Sequence, residues 1–170
     1  SGFPCCPTFG GCFGGCFGGF GTQSPMPTYS PWAASPRKAY YYRHLHLSNF
    51  PGIDVSFDFV LVHYPERPKH FYYFDPLAKT YVGRYIIGAK SDACYQLLST
   101  NDRKAVLKDI RESAFRSPAL MPNLAHIIVP KSAALTSNTS WQNVKMPRPP
   151  DNIPDAFLGL PIEEDLRKLK

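Results

Sequence analysis

The residues best suited to chemistry form a run of rings and cations: Arg37, Lys38, Tyr40, Tyr41, Tyr42 and Arg43. Flat rings stack on bases while neighbouring cations hold phosphates, so this run is a candidate interaction surface. Tyr72 and Tyr73, within Phe71-Tyr72-Tyr73-Phe74, join it if strand aromatics serve as they do in single-strand RNA readers. The competing reading is stronger, because a small sheet needs bulky rings for its core.

Metal chemistry has two weaker candidates. Cys5, Cys6, Cys12 and Cys16 could supply four thiolates, but only Cys12 and Cys16 are spaced as a zinc knuckle. That stretch reads more simply as a repetitive tail open to oxidation or lipidation. His44 and His46, two apart on one strand, could meet His63 from a neighbour, although scattered imidazoles are more often packed or exposed. Nucleophilic chemistry fares worse. Cys94 lies near Asp92 without an adjacent His, and neither a Gly-x-Ser-x-Gly elbow nor a phosphate loop occurs. The expectation is a non-enzyme with no catalytic, cofactor-binding or metal site.

The elements that would position these residues start late in the chain. Of the 12 glycines, eight fall in residues 1–21, where Phe9, Phe13 and Phe17 repeat in register with Cys12 and Cys16. Ordering so much glycine costs more backbone entropy than few side chains can offset. Residues 1–36, free of charge and punctuated by Pro25, Pro27, Pro31 and Pro36, are expected to be a disordered tail.

The aromatic and basic run Arg37–His46 reads as an extended lead-in or a first strand. From Ile53 to Val62 apolar residues alternate with Asp54, Ser56 and Asp58, the period of a strand with one buried face. Pro65 and Pro68 end it. His70–Phe74 and Lys79–Ile87 are expected to pair about an Asp75-Pro76-Leu77-Ala78 turn, with Asp accepting backbone bonds and Pro presetting φ. Ser99–Asp102 offers an N-cap for a helix from Arg103 to Glu112 with Val106, Leu107 and Ile110 as its apolar stripe. Leu124–Val129 suggests one more strand. Pro161 followed by acids and then bases suggests a short amphipathic helix over residues 162–170.

His70–Asp75 with Lys79-Thr80 resembles the middle hairpin of a WW domain, a proline-ligand module. Pro76 and Gly83 stand where that module carries its ligand-contacting His and second Trp. The likeness is therefore one of hairpin physics and implies no membership.

The fold expected is α+β: a small, mainly antiparallel sheet of three to four strands around a central aromatic hairpin, with one main helix. The divisions are a tail at 1–36, a core at 37–130, a polar and proline-rich linker at 131–161, and the terminal helix. A net charge of +6 over 170 residues favours acidic partners without choosing among them. No apolar run is long enough to span a bilayer, and no signal peptide stands out. Met146-Pro147-Arg148-Pro149-Pro150 could lie in the aromatic groove of another protein, and Asn138-Thr139-Ser140 is a glycosylation sequon if the chain is secreted. The leading functional expectation is a non-catalytic protein–protein interaction or assembly module, with self-association through the tail. The alternative is a single-stranded RNA- or DNA-binding module using the Tyr/Arg cluster.

Overall fold

Strand-favouring aromatic and branched residues dominate the chain from Tyr41 to Tyr95, and a computed structural model shows them as an antiparallel meander. It describes residues 25–35, 40–50, 52–137 and 139–151. The strands are β1 (Met26–Tyr29), β2 (Ala33–Ala34), β3 (Tyr41–Ser48), β4 (Phe57–His63), β5 (His70–Asp75), β6 (Thr80–Ile86) and β7 (Tyr95–Leu97). They form one seven-stranded sheet in the order β1-β3-β4-β5-β6-β7, and β2 continues along the outer edge of β3 after β1.

This corrects the expected α+β class. The described residues hold one short helix, α1 (Ala133–Ser137), and several lone 3₁₀ turns. The expected helix from Arg103 to Glu112 is replaced by turns at Thr100–Asp102, Leu107–Asp109 and Glu112–Ala114, with extended backbone at Arg103, Val106, Ile110 and Arg111. Tertiary bonding explains the outcome. The Lys104 carbonyl accepts from Tyr81 N–H at the start of β6 (2.9 Å), which holds that stretch extended. The Ser99 hydroxyl, expected as a cap, donates instead to the Asp102 carboxylate (2.6 Å). Leu107, Ile110 and Phe115 still reach the core, but from turns and not from one helical face.

The strand expected at Leu124–Val129 is likewise a 3₁₀ turn, Leu124–His126, tied to the following chain by Leu124 N–H to the Val144 carbonyl (2.8 Å). Met26–Tyr29 and Ala33–Ala34, which the sequence reading places in the tail, pair with β3. The Phe/Gly/Cys repeat and the helix expected at 162–170 lie outside the described residues.

The hairpin of β5 and β6 forms on the expected turn. Asp75 Oδ1 accepts from the amides of Leu77 (2.9 Å) and Ala78 (3.3 Å), and Lys79 closes it at φ 61°. A bulge follows, since Tyr73 faces Gly83 while Phe74 faces Tyr81. Gly83 is required there. A Cβ on it would meet the Tyr95 hydroxyl at 2.6 Å and the Gln96 carbonyl at 2.7 Å, so the bare backbone is what lets the Tyr95 ring lie across β6.

Side chains cover both faces of the sheet. On one, Leu45, Leu47, Phe59, Leu61, Phe71 and Tyr73 pack with Met121, Leu124, Ile127, Trp141 and Met146. On the other, Val60, Val62, Tyr72, Phe74 and Tyr81 pack with Tyr40, Tyr64, Leu107, Ile110 and Phe115. Burial on both sides explains why β4 and β5 read as near-continuous apolar runs. At the β1 edge, Ser30 N–H donates inward to the His44 carbonyl, so the alternating pattern turns Pro27 outward. A residue with no N–H thus occupies an outward position of an exposed edge, which limits pairing with another chain.

Candidate functional site

The sheet divides the residues singled out from sequence. Tyr40, Tyr41, Tyr72 and Tyr73 are buried, and Tyr42 is half-buried with its ring against Tyr40 and His44. A ring inside the core cannot stack on a nucleobase. Arg43 has its guanidinium carbon 5.1 Å from the Tyr29 ring centre and 5.3 Å from that of Trp32, and its Nε donates to the Ser30 carbonyl (2.9 Å). It ties the β1–β2 edge to β3 and gains cation–π attraction from both rings. Arg37 and Lys38 lie outside the described residues.

The three histidines weighed as a metal set do not converge. His44 and His46 project from the opposite face of the sheet to His63, because His63 is registered with Tyr41. His46 instead contacts Asp58 (2.6 Å). His63 is fully buried against Phe71, and neither ring nitrogen has a hydrogen-bond partner among the described residues. Burial is the largest influence on its pKa and pushes it below 6.5, which favours the neutral ring at pH 7. Burial likewise pushes the Cys94 thiol up, away from thiolate reactivity.

A groove beside β7 was not foreseen. Residues 116–119 run along this edge: Tyr95 N–H donates to the Ala119 carbonyl (3.0 Å), Ala119 N–H returns to Tyr95 (2.9 Å), and Arg116 N–H reaches Leu97 (3.3 Å). The chain then turns back through Met121–His126. Arg103 fixes that return by donating to the Ile127 (2.8 Å) and His126 (2.9 Å) carbonyls. Between these segments lies a groove of about 480 Å³.

Leu97, Ala119, Met121 and Pro122 give the groove apolar walls, and Leu120 stands at its mouth, 56% exposed. Arg116, His126 and Lys145 border it, all exposed, and no carboxylate is among its lining residues. Tyr95 forms part of the wall, with a phenol pushed far above its usual range by burial and opposed by Arg103. Such a surface can desolvate an apolar side chain while cations meet carboxylates. Its members are scattered from residue 95 to residue 145. Only the apolar Ala119-Leu120-Met121 stretch among Ser, Pro and Arg hinted at it locally.

A second concave region lies between the β4–β5 turn and β6, where Arg67, Lys69, His70 and Arg84 come together with Glu112. No family model, curated protein or solved structure matches this chain.

Proposed function

We propose that this chain is a non-catalytic protein-interaction module whose groove beside β7 takes an extended partner segment carrying apolar and acidic side chains. The observation that carries this reading is the lining itself: apolar walls bordered by Arg116, His126 and Lys145, with no acid among the lining residues. An apolar anchor gains from desolvation there, and acids beside it gain orientation from the basic border. The Phe/Gly repeats of the tail add weak multivalent contacts in this reading.

Binding of single-stranded RNA or DNA is the weaker reading, because the rings it needs are mostly in the core. Selection from a phage-displayed random peptide library against the full chain tests the proposal. Enriched peptides should combine Leu or Phe with Asp or Glu, and the double variant Leu120→Asp/Lys145→Glu should abolish their binding. Enrichment that survives the double variant would overturn it, as would tighter, steeply salt-dependent capture of a single-stranded oligonucleotide.

A further inference from the structure

We propose that the cleft formed by Arg67, Lys69, His70 and Arg84 binds a phosphate monoester dianion. The cleft, about 370 Å³, lies over β5 and β6 on the face opposite Trp141. Local structure brings the cations together. Arg67 N–H donates to the Tyr64 carbonyl (2.8 Å) and Ile87 N–H to the Lys69 carbonyl (2.9 Å), which folds the β4–β5 turn back against the end of β6. Tyr72 and Arg84 are registered partners, and His70 is on the same side of β5 as Tyr72.

Arg84 is already organised for an oxyanion. Its guanidinium lies 4.0 Å above the Phe115 ring, Nε donates to Gln96 Oε1 (2.6 Å), and Nη2 meets Glu112 Oε2 (2.5 Å). The Arg84 side chain is only 7% exposed whereas that of Glu112 is 71% exposed, so a surface carboxylate has been brought to a buried cation. Nη1 has no hydrogen-bond partner among the described residues, and neither Arg67 nor Lys69 has an ion pair among them. A planar carboxylate offers two oxygens. A phosphate monoester offers three, enough for cations arriving from two separate elements, and guanidinium is matched to it geometrically.

The groups lining the cleft with His70 are Glu66, Arg67 and Lys69 from the turn, Tyr72 on β5, Arg84 on β6 and Glu112 on its 3₁₀ turn. Their balance is positive, with three cations against two carboxylates. His70 registers this: burial first, then Arg84, lowers its pKa to about 4, with Glu112 opposing and Arg67 and Lys69 adding to the fall. A bound dianion reverses the local sign and favours a proton on the ring. Dianion binding is therefore coupled to proton uptake at His70.

The test follows the His70 ring proton by NMR in the full chain, with sodium sulfate as a dianion that does not titrate in this range and sodium chloride of equal ionic strength as control. Sulfate should raise the His70 midpoint by about one unit, whereas chloride leaves it in place. At pH 7.5, phenyl phosphate should bind more tightly than acetate. Lys69→Glu, an exposed turn substitution, should weaken it about tenfold, the value of one charge-assisted contact. Glu112→Gln should strengthen it by removing the resident competitor. Equal shifts in sulfate and chloride, acetate as good as phenyl phosphate, or an unaffected Lys69→Glu variant would each overturn the site.

Discussion

The two faces of the sheet solve the same packing problem with different treatment of their polar atoms. On the face of Tyr64, Tyr72 and Arg84, the buried polar groups find one another: Tyr64 and Tyr81 hydroxyls lie 2.5 Å apart, and Arg84 is held by Gln96 and Glu112. On the face of Phe71, Tyr95 and Trp141, both His63 ring nitrogens and the Tyr95 hydroxyl are buried without partners among the described residues. Buried orphans cost roughly 1–3 kcal/mol each. The second face tolerates that cost because its apolar cluster is larger, extending from Leu45 to Met146.

The largest effect should therefore come from removing apolar bulk on that face. Trp141 is fully buried, packs at 5.3 Å on Phe57, and donates from Nε1 to the Leu135 carbonyl (2.9 Å). Trp141→Ala is expected to cost about 4 kcal/mol by urea denaturation, against about 3 kcal/mol for Leu107→Ala on the opposite face. Equal or reversed costs would show that the Trp141 face does not carry the larger load.

The opposite face is sharpened by its hydroxyl pair. Tyr64→Phe leaves the Tyr81 hydroxyl buried and unpaired, and is expected to cost about 2 kcal/mol. Changing both residues to Phe removes donor and acceptor together and should recover most of that loss. A single substitution without cost would mean that the pair contributes nothing.

How much of this was legible in sequence depends on whether the determinants were local. The Asp75–Lys79 turn and its flanking aromatic strands were readable because an Asx turn and strand propensity act within a few residues. The alternation from Ile53 correctly announced β4, although the strand itself starts at Phe57. The segment from Arg103 to Glu112 misled because its helical spacing of Val106, Leu107 and Ile110 equally suits successive turns laid on a sheet, and the Tyr81–Lys104 bond decides between them. Trp141 gave no signal of its role, lying among polar residues that read as linker. The Tyr cluster was legible as aromatic mass, but not which rings would face inward, since that depends on the registry of β3 with β4.

Acid should expose the orphaned histidine. His63 has a folded-state pKa below its unfolded value, so its neutral form contributes fully above pH 6.5 and stability falls as pH drops through that value. His70, lowered to about 4, acts in the same direction between 6.5 and 4. Melting temperature is thus expected to decline from pH 7 to pH 5, and His63→Leu should flatten part of the decline. An unchanged slope in that variant would place the acid sensitivity elsewhere, with His70 the next group to replace.

The smallest effect is a gain. Tyr95 is 1% exposed, its ring packs at 5.4 Å on Tyr73, and its hydroxyl lies above Gly83 without a partner among the described residues. Tyr95→Phe keeps the ring contacts and removes only the uncompensated oxygen, so it should stabilise the chain by about 1 kcal/mol. The same substitution at Tyr64 should destabilise it. Opposite signs for one chemical change at two buried tyrosines would show that pairing, and not burial, separates the faces. A loss at Tyr95 would mean that its hydroxyl has a partner in solution, with an ordered water the first candidate to seek by hydration-sensitive NMR.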